Sequence, residues 1–285
     1  MEEFEAQIPI DCLCCTSSAL IAGGYLFHEE TRSGKIYFYD LESMEIQDEF
    51  ETSGTLDIKI NAQTLYSANS RDVSAINIGS KSIIKTDTRD INTYLEINGD
   101  EVFVSDIGGR VSVYDKDITV RKVVKLGEAP IWVLKGRCKE LMCGSEDGEL
   151  RFVDMRTWSE HHRMKRASGV ISIYEHLEYL YVGSYDEHIE IVDKRMYEVV
   201  RKVKVGGGVW RIFEKDKTFF LSCMYEGLKV CDGDLNIVKE FPTNSIAYGL
   251  ASSDKELFFT SFYDKKICKL RFQDLKDIVE GEDYF

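Results

Sequence analysis

The segment Gly183-Ser-Tyr-Asp-Glu-His188 sets a hydroxyl, a carboxylate and an imidazole close together in the chain. Those are the parts of an acyl-transfer triad, with Ser184 as nucleophile, His188 as base and Asp186 as the group that orients it. The same residue types also satisfy backbone groups in a tight turn between strands, so a structural role stands beside the catalytic one. Cys12, Cys14 and Cys15 come near a metal-ligand spacing, yet no second Cys or His pair follows at a matching interval, and they read as structural thiols. His161 and His162 lie beside Arg163, Lys165 and Arg166 in a short basic run that reads as an exposed strand. The glycine elbow of serine hydrolases, the His-Glu-x-x-His zinc helix and the phosphate-binding glycine loop do not occur. No metal site is expected from these residues.

The elements that must hold these residues follow from an internal repeat. Gly148-Glu-Leu-Arg-Phe-Val-Asp154, Glu187-His-Ile-Glu-Ile-Val-Asp193 and Glu226-Gly-Leu-Lys-Val-Cys-Asp232 align without gaps, their last residues 39 positions apart. The same beat reaches back to Asp115 and, through a shorter step to Gly79, to Asp40; forwards it lands on Arg271, which makes seven copies. Each copy holds short runs of β-branched and aromatic residues in near alternation, such as Tyr179-Leu-Tyr-Val-Gly-Ser184 and Ile189-Glu-Ile-Val192, separated by acidic or glycine turns. The three prolines, Pro9, Pro130 and Pro242, fall between such runs. A period near 40 with about four strands per unit predicts an all-β, seven-bladed β-propeller. The whole chain, 1–285, reads as one such domain, with blades near 10–52, 55–88, 91–125, 130–166, 169–205, 208–243 and 245–275 plus 2–8. The last copy lacks an outer strand after Phe272, so Glu3-Phe-Glu-Ala-Gln-Ile8 is expected to pair there and close the ring.

The phase of the repeat brings equivalent positions to one face. Asp147, Asp186, Tyr225 and Asp264 are spaced 39 apart and should share a rim, while Trp132, Trp210 and Tyr248 open the innermost strands of their blades. Aromatic faces mixed with carboxylates suit a cation, a quaternary ammonium above all, because ring quadrupoles attract a charge that no hydrogen bond can satisfy. The same aromatics could equally plug the channel mouth.

Composition bounds the partners. Hydrophobic residues at 44% and charged residues at 30% describe a packed chain and exclude disorder. A formal charge of −14 repels phosphate backbones and anionic lipid, so neither nucleic acid nor membrane is expected as a partner. The acidic start Met1-Glu2-Glu3-Phe4-Glu5 lacks presequence character and no apolar run could span a bilayer, which points to the cytoplasm. The eight scattered cysteines then read as reduced thiols, mostly core filler, and the closed ring as a monomer.

Several peptides are more specific than propeller punctuation: Gly183-Ser-Tyr-Asp-Glu-His-Ile189, Gly207-Gly-Val-Trp-Arg-Ile212, Cys223-Met224 ahead of Gly227, Tyr248-Gly-Leu-Ala251, Ser261-Phe-Tyr-Asp264 and Thr52-Ser-Gly-Thr-Leu-Asp-Ile58. Through them the chain resembles the diphthine methylesterase family of WD-repeat proteins, over most of its length and most densely between 167 and 271. The resemblance implies hydrolysis of the methyl ester on methylated diphthine, a modified histidine of translation elongation factor 2, without a cofactor. Diphthine carries a trimethylammonium near that ester, a ligand the rim would suit. The family's Cys-Met-His is here Cys223-Met224-Tyr225 and its Phe-Tyr-Asp-His is Phe262-Tyr263-Asp264-Lys265, which leaves His188 as the imidazole inside a matched motif. On this reading His188 is the base, Asp186 its partner, and Ser184 or a water the nucleophile. Arg211 or the N–H groups of Gly207 and Gly208 would meet the oxyanion, with Tyr185, Trp210, Tyr225, Tyr248, Tyr263 and Asp264 around the substrate. The competing class is a non-catalytic WD-repeat platform for protein assembly.

Overall fold

The computed structural model describes residues 1–279. Alternating short strands joined by tight turns give seven four-stranded antiparallel sheets. Their innermost strands are Ile10–Cys15, Thr55–Asn61, Asn92–Asn98, Ile131–Arg137, Val170–His176, Arg211–Lys215 and Leu250–Ser252, and each touches the next in a closed circuit. The sheets are therefore the blades of a ring around a channel, numbered 1 to 7 below in that order. Each blade is too thin to bury its own faces, so the cores lie between blades. Tyr66 and Val73 of blade 2 pack with Leu95 and Val102 of blade 3, and Val133 and Met142 of blade 4 with Val170 and Leu180 of blade 5. The outermost strands, such as Val120–Lys125 and Glu198–Lys204, are exposed and rich in charge, which blunts their open edges.

Ring closure uses the amino terminus. Glu2–Glu5 pairs antiparallel with Lys266–Arg271, Phe4 opposite Ile267, and takes the outer place in blade 7. Behind it Ala6 and Ile8 are buried in the cluster shared with blade 1. After the third strand of blade 7 the chain continues into a short helix, Phe272–Val279.

The repeated aspartates lock turns. Asp154 and Asp193 accept hydrogen bonds from the backbone N–H of Arg156 and Arg195, both at 2.9 Å, and from their guanidinium groups. Asp40, Asp115 and Asp232 accept from the N–H groups of Ser43, Thr119 and Asn236. The Arg195 contacts hold the Asp193 carboxyl down to about 2. This explains the beat in blades 1 to 6: an Asx turn between third and fourth strands needs an oxygen at a fixed place, which Asn77 supplies in blade 2.

Candidate functional site at the channel mouth

Antiparallel strands place the turn between second and third strands at the same end of a blade as the start of its innermost strand. The Ser184–His188 turn, its equivalents at Ser145–Glu149, Cys223–Gly227 and Ser261–Lys265, and the entries at Trp132, Trp210 and Tyr248 therefore share one face. Close packing confirms this neighbourhood: a Cβ on Gly208 would stand 2.5 Å from the Met224 sulfur and 3.5 Å from the Tyr185 ring.

Five blades carry the same irregularity at this end, a register shift across Ile10/Cys12, Thr55/Asp57, Asn92/Tyr94, Ile131/Val133 and Val170/Ser172. A bulge bends the strand and re-aims the extra residue. The bulged residues include Asp11 and Trp132, and by the repeat Trp210 and Tyr248 stand at the corresponding places in blades 6 and 7. From them grows an aromatic arc: the Trp132 and Trp210 rings are 6.0 Å apart, Trp210 and Tyr248 4.8 Å, Tyr248 and Phe262 5.5 Å, and Phe262 and Tyr25 5.2 Å. Glu146 accepts from the Trp132 indole N–H and faces Tyr185, whose hydroxyl is pushed well up by burial and then by that carboxylate. On the other flank the long hairpin of blade 1, Ala19–His28 and Thr31–Asp40, sets Arg32 over the Tyr25 and Phe27 rings at 5.1 and 5.2 Å.

Below the arc the channel is charged. Arg211 reaches across the ring to Asp57 at 3.4 Å, its guanidinium 5.1 Å from the Tyr94 ring and 5.6 Å from Trp210. Burial works against its charge, but Asp57, Tyr94 and Asp11 more than offset this and hold its pKa above that of a free guanidinium. Asp57 also accepts the Leu95 N–H at 3.0 Å, and Lys59 pairs with Glu96 beside Tyr94. Asp11 is 5% exposed, and its carboxyl makes no hydrogen bond or ion pair among the described residues. Burial pushes its carboxyl up to about 7, against Arg211 and Arg32 and with the help of Asp57.

The residues singled out by sequence divide. Ser184 Oγ donates to Asp186 Oδ1 at 2.5 Å, and the other Asp186 oxygen meets Lys202 at 2.9 Å, so this carboxylate is fully engaged. The same serine–aspartate contact recurs in blade 4 (Ser145 to Asp147, 2.6 Å) and blade 7 (Ser261 to Asp264, 2.5 Å). It is a turn lock of the repeat, and Asp186 and Asp264 hold serines rather than facing an open rim. His188 Nδ1 lies 2.6 Å from the Asp186 carbonyl; donating there, it leaves Nε2 as the basic nitrogen. Glu187 beside it has φ of 69°, where blade 4 uses Gly148, so the turn is strained at this point. His188 begins a third strand, two strand spacings or roughly 10 Å outward from the channel wall. Trp210, Tyr248 and Tyr185 do gather at the mouth, whereas Tyr225 and Tyr263 stand 70% exposed on their turns. Arg211 is turned into the channel, towards Asp57 rather than towards the Ser184 turn.

Asp11, Asp57 and Arg32 were not among the residues the sequence singled out. The signal for the two aspartates is a charge set inside an apolar run, Ile10-Asp-Cys-Leu13 and Leu56-Asp-Ile58, whereas Arg32 sits beside a polar hairpin turn that marks it in no such way. A groove of about 960 Å³ opens on the opposite face, between blades 6 and 7 and the helix, lined by Lys215, Asp254, Lys269 and Phe272.

Comparison with known proteins adds the fold class. No family model matches the chain, and no curated protein does. Among solved structures, a chain of a mitotic checkpoint complex superposes with a TM-score of 0.81 at 14% identity, covering 95% of this chain and 90% of that one. The computationally designed Ika8 protein gives 0.67 at 15% identity, covering 90% and 82%. Fold and neighbours together define a seven-bladed β-propeller.

Proposed function

We propose that the channel mouth takes a trimethylammonium-bearing side chain presented by a protein and that the chain hydrolyses the methyl ester beside it, as a diphthine methylesterase acting on translation elongation factor 2. The observation that carries the reading is the arc from Trp132 through Trp210 and Tyr248, contiguous at ring distances and set over a buried carboxylate. Such a surface stabilises a quaternary ammonium by about 0.5–2 kcal/mol per well-placed ring, and desolvation by the ring wall favours the upper end. The ester chemistry is supported by the likeness of residues 183–189, 207–212 and 261–264 to that family. Arg211, charged and adjoining Trp210, is suited to a developing oxyanion.

A second reading, a non-catalytic platform, is favoured by one observation: the triad-like Ser184 and Asp186 form a lock that blades 4 and 7 repeat. The two readings part on turnover. Purified protein incubated with methylated elongation factor 2 releases methanol, and the factor loses one methylene in mass, if the first holds. A platform binds the factor and leaves its mass unchanged.

A further inference from the structure

Resting on the hydrolase reading, we infer that Asp11 is the base of that reaction, its carboxylate taking the proton of the attacking water. Several observations converge on it. Asp11 lies at the bulge of the innermost strand of blade 1, so it belongs to the mouth itself, whereas His188 stands roughly 10 Å outward. Diphthine's ester lies near its ammonium, and an ammonium seated against Trp210 and Tyr248 brings that ester to the channel wall. Asp11 is near enough to the Tyr248 and Tyr25 hydroxyls for its charge to push their pKa up further after burial. It is 5% exposed with no hydrogen-bond partner among the described residues, whereas Asp57 is paired with Arg211, and Asp186 with Ser184 and Lys202. Among the described residues, no neighbour occupies its carboxylate oxygens.

The step balances without a co-reactant. Water oxygen bonds to the ester carbonyl carbon as its proton passes to Asp11, and Arg211 meets the oxyanion. The carbon–methoxy bond then breaks, Asp11 returns the proton to the leaving oxygen as methanol, and the product acid ionises to solvent. The groups facing Asp11 are Cys12 on its own strand, Tyr25 and Arg32 from the hairpin, Asp57 from blade 2, Arg211 from blade 6 and Tyr248 from blade 7. Their balance leaves the carboxyl up to about 7, where acid and base forms are both populated at neutral pH.

The test is methanol release from methylated elongation factor 2 by the wild-type chain and Asp11→Asn, across about pH 5 to 9, with the melting point of each recorded. The expected result is a wild-type kcat/KM that climbs to a bend near 7, and a variant about a hundredfold slower or worse at unchanged KM, without the bend. An active wild type with Asp11→Asn within about threefold of it would overturn the Asp11 assignment and leave the hydrolase reading standing. A wild type that releases no methanol would overturn the hydrolase reading and Asp11 with it. Should the variant fail to fold, a wild-type profile flat over that range overturns the assignment by itself.

Discussion

Asp11→Asn should change stability in a direction set by pH alone. The carboxyl moves from an ordinary 3.8 up to about 7 on folding, because burial disfavours its charge. Between those values the folded chain holds a proton that the unfolded chain has released, so stability falls as pH rises through that window. The contribution is fully present below about 4 and lost above about 7. The move from 3.8 up to about 7 corresponds to about 4 kcal/mol of stability. Asparagine keeps the neutral shape at every pH, so the variant should match wild type near pH 4 and exceed it by about 4 kcal/mol at pH 8. For a domain of this size that is roughly 8 °C in melting temperature. The quantity to plot is the variant-minus-wild-type difference in urea midpoint or melting point against pH, since carboxylates shifted the other way, such as Asp193, cancel from it. A difference that stays constant between pH 4 and 8 would refute both the burial argument and the proton economy assigned to Asp11.

Other perturbations test other parts of the account. Removing residues 1–8 exposes the Lys266–Arg271 edge and forfeits burial of Phe4 and Ile8, roughly 4 kcal/mol or more, so the melting temperature should drop clearly; an unchanged value would contradict closure by that strand. Ser184→Ala should cost about 1 kcal/mol, as Ser145→Ala should, and keep turnover; lost turnover in the first alone would restore Ser184 as a nucleophile. Arg211→Ala leaves Asp57 buried without its ion-pair partner, at a cost of roughly 3–5 kcal/mol in chemical denaturation. A melt equal to wild type would show that Asp57 does not depend on it.

Much of the architecture could be read from the residues because each copy must solve the same local problem. The Asx turns at Asp40, Asp115, Asp154, Asp193 and Asp232 need an oxygen at one place, and that need wrote the 39-residue beat into the chain. The phase of the beat likewise brought Trp210 and Tyr248 to one face. The site was less legible for two physical reasons. Ser184 and Asp186 have the types a hydrolase uses, but those types also close a turn, and only the equivalents at Ser145–Asp147 and Ser261–Asp264 reveal the lock. Asp11 gains its place from a bulge, and alternation along Ile10-Asp-Cys-Leu13 does not say which side chain a bulge re-aims. Contacts across the ring, such as Arg211 with Asp57, join residues 154 apart and leave no mark in local spacing.

The mouth as an ester-hydrolysing ammonium site is tested most directly by mass spectrometry of methylated elongation factor 2 after incubation with wild type and with Trp210→Ala. The wild-type chain should strip one methylene from the modified histidine and the variant should do so at least about tenfold more slowly, in line with loss of a desolvated cation–π contact. Equal rates would contradict the placing of the substrate against the aromatic arc, and an unaltered mass with wild type would contradict the activity itself.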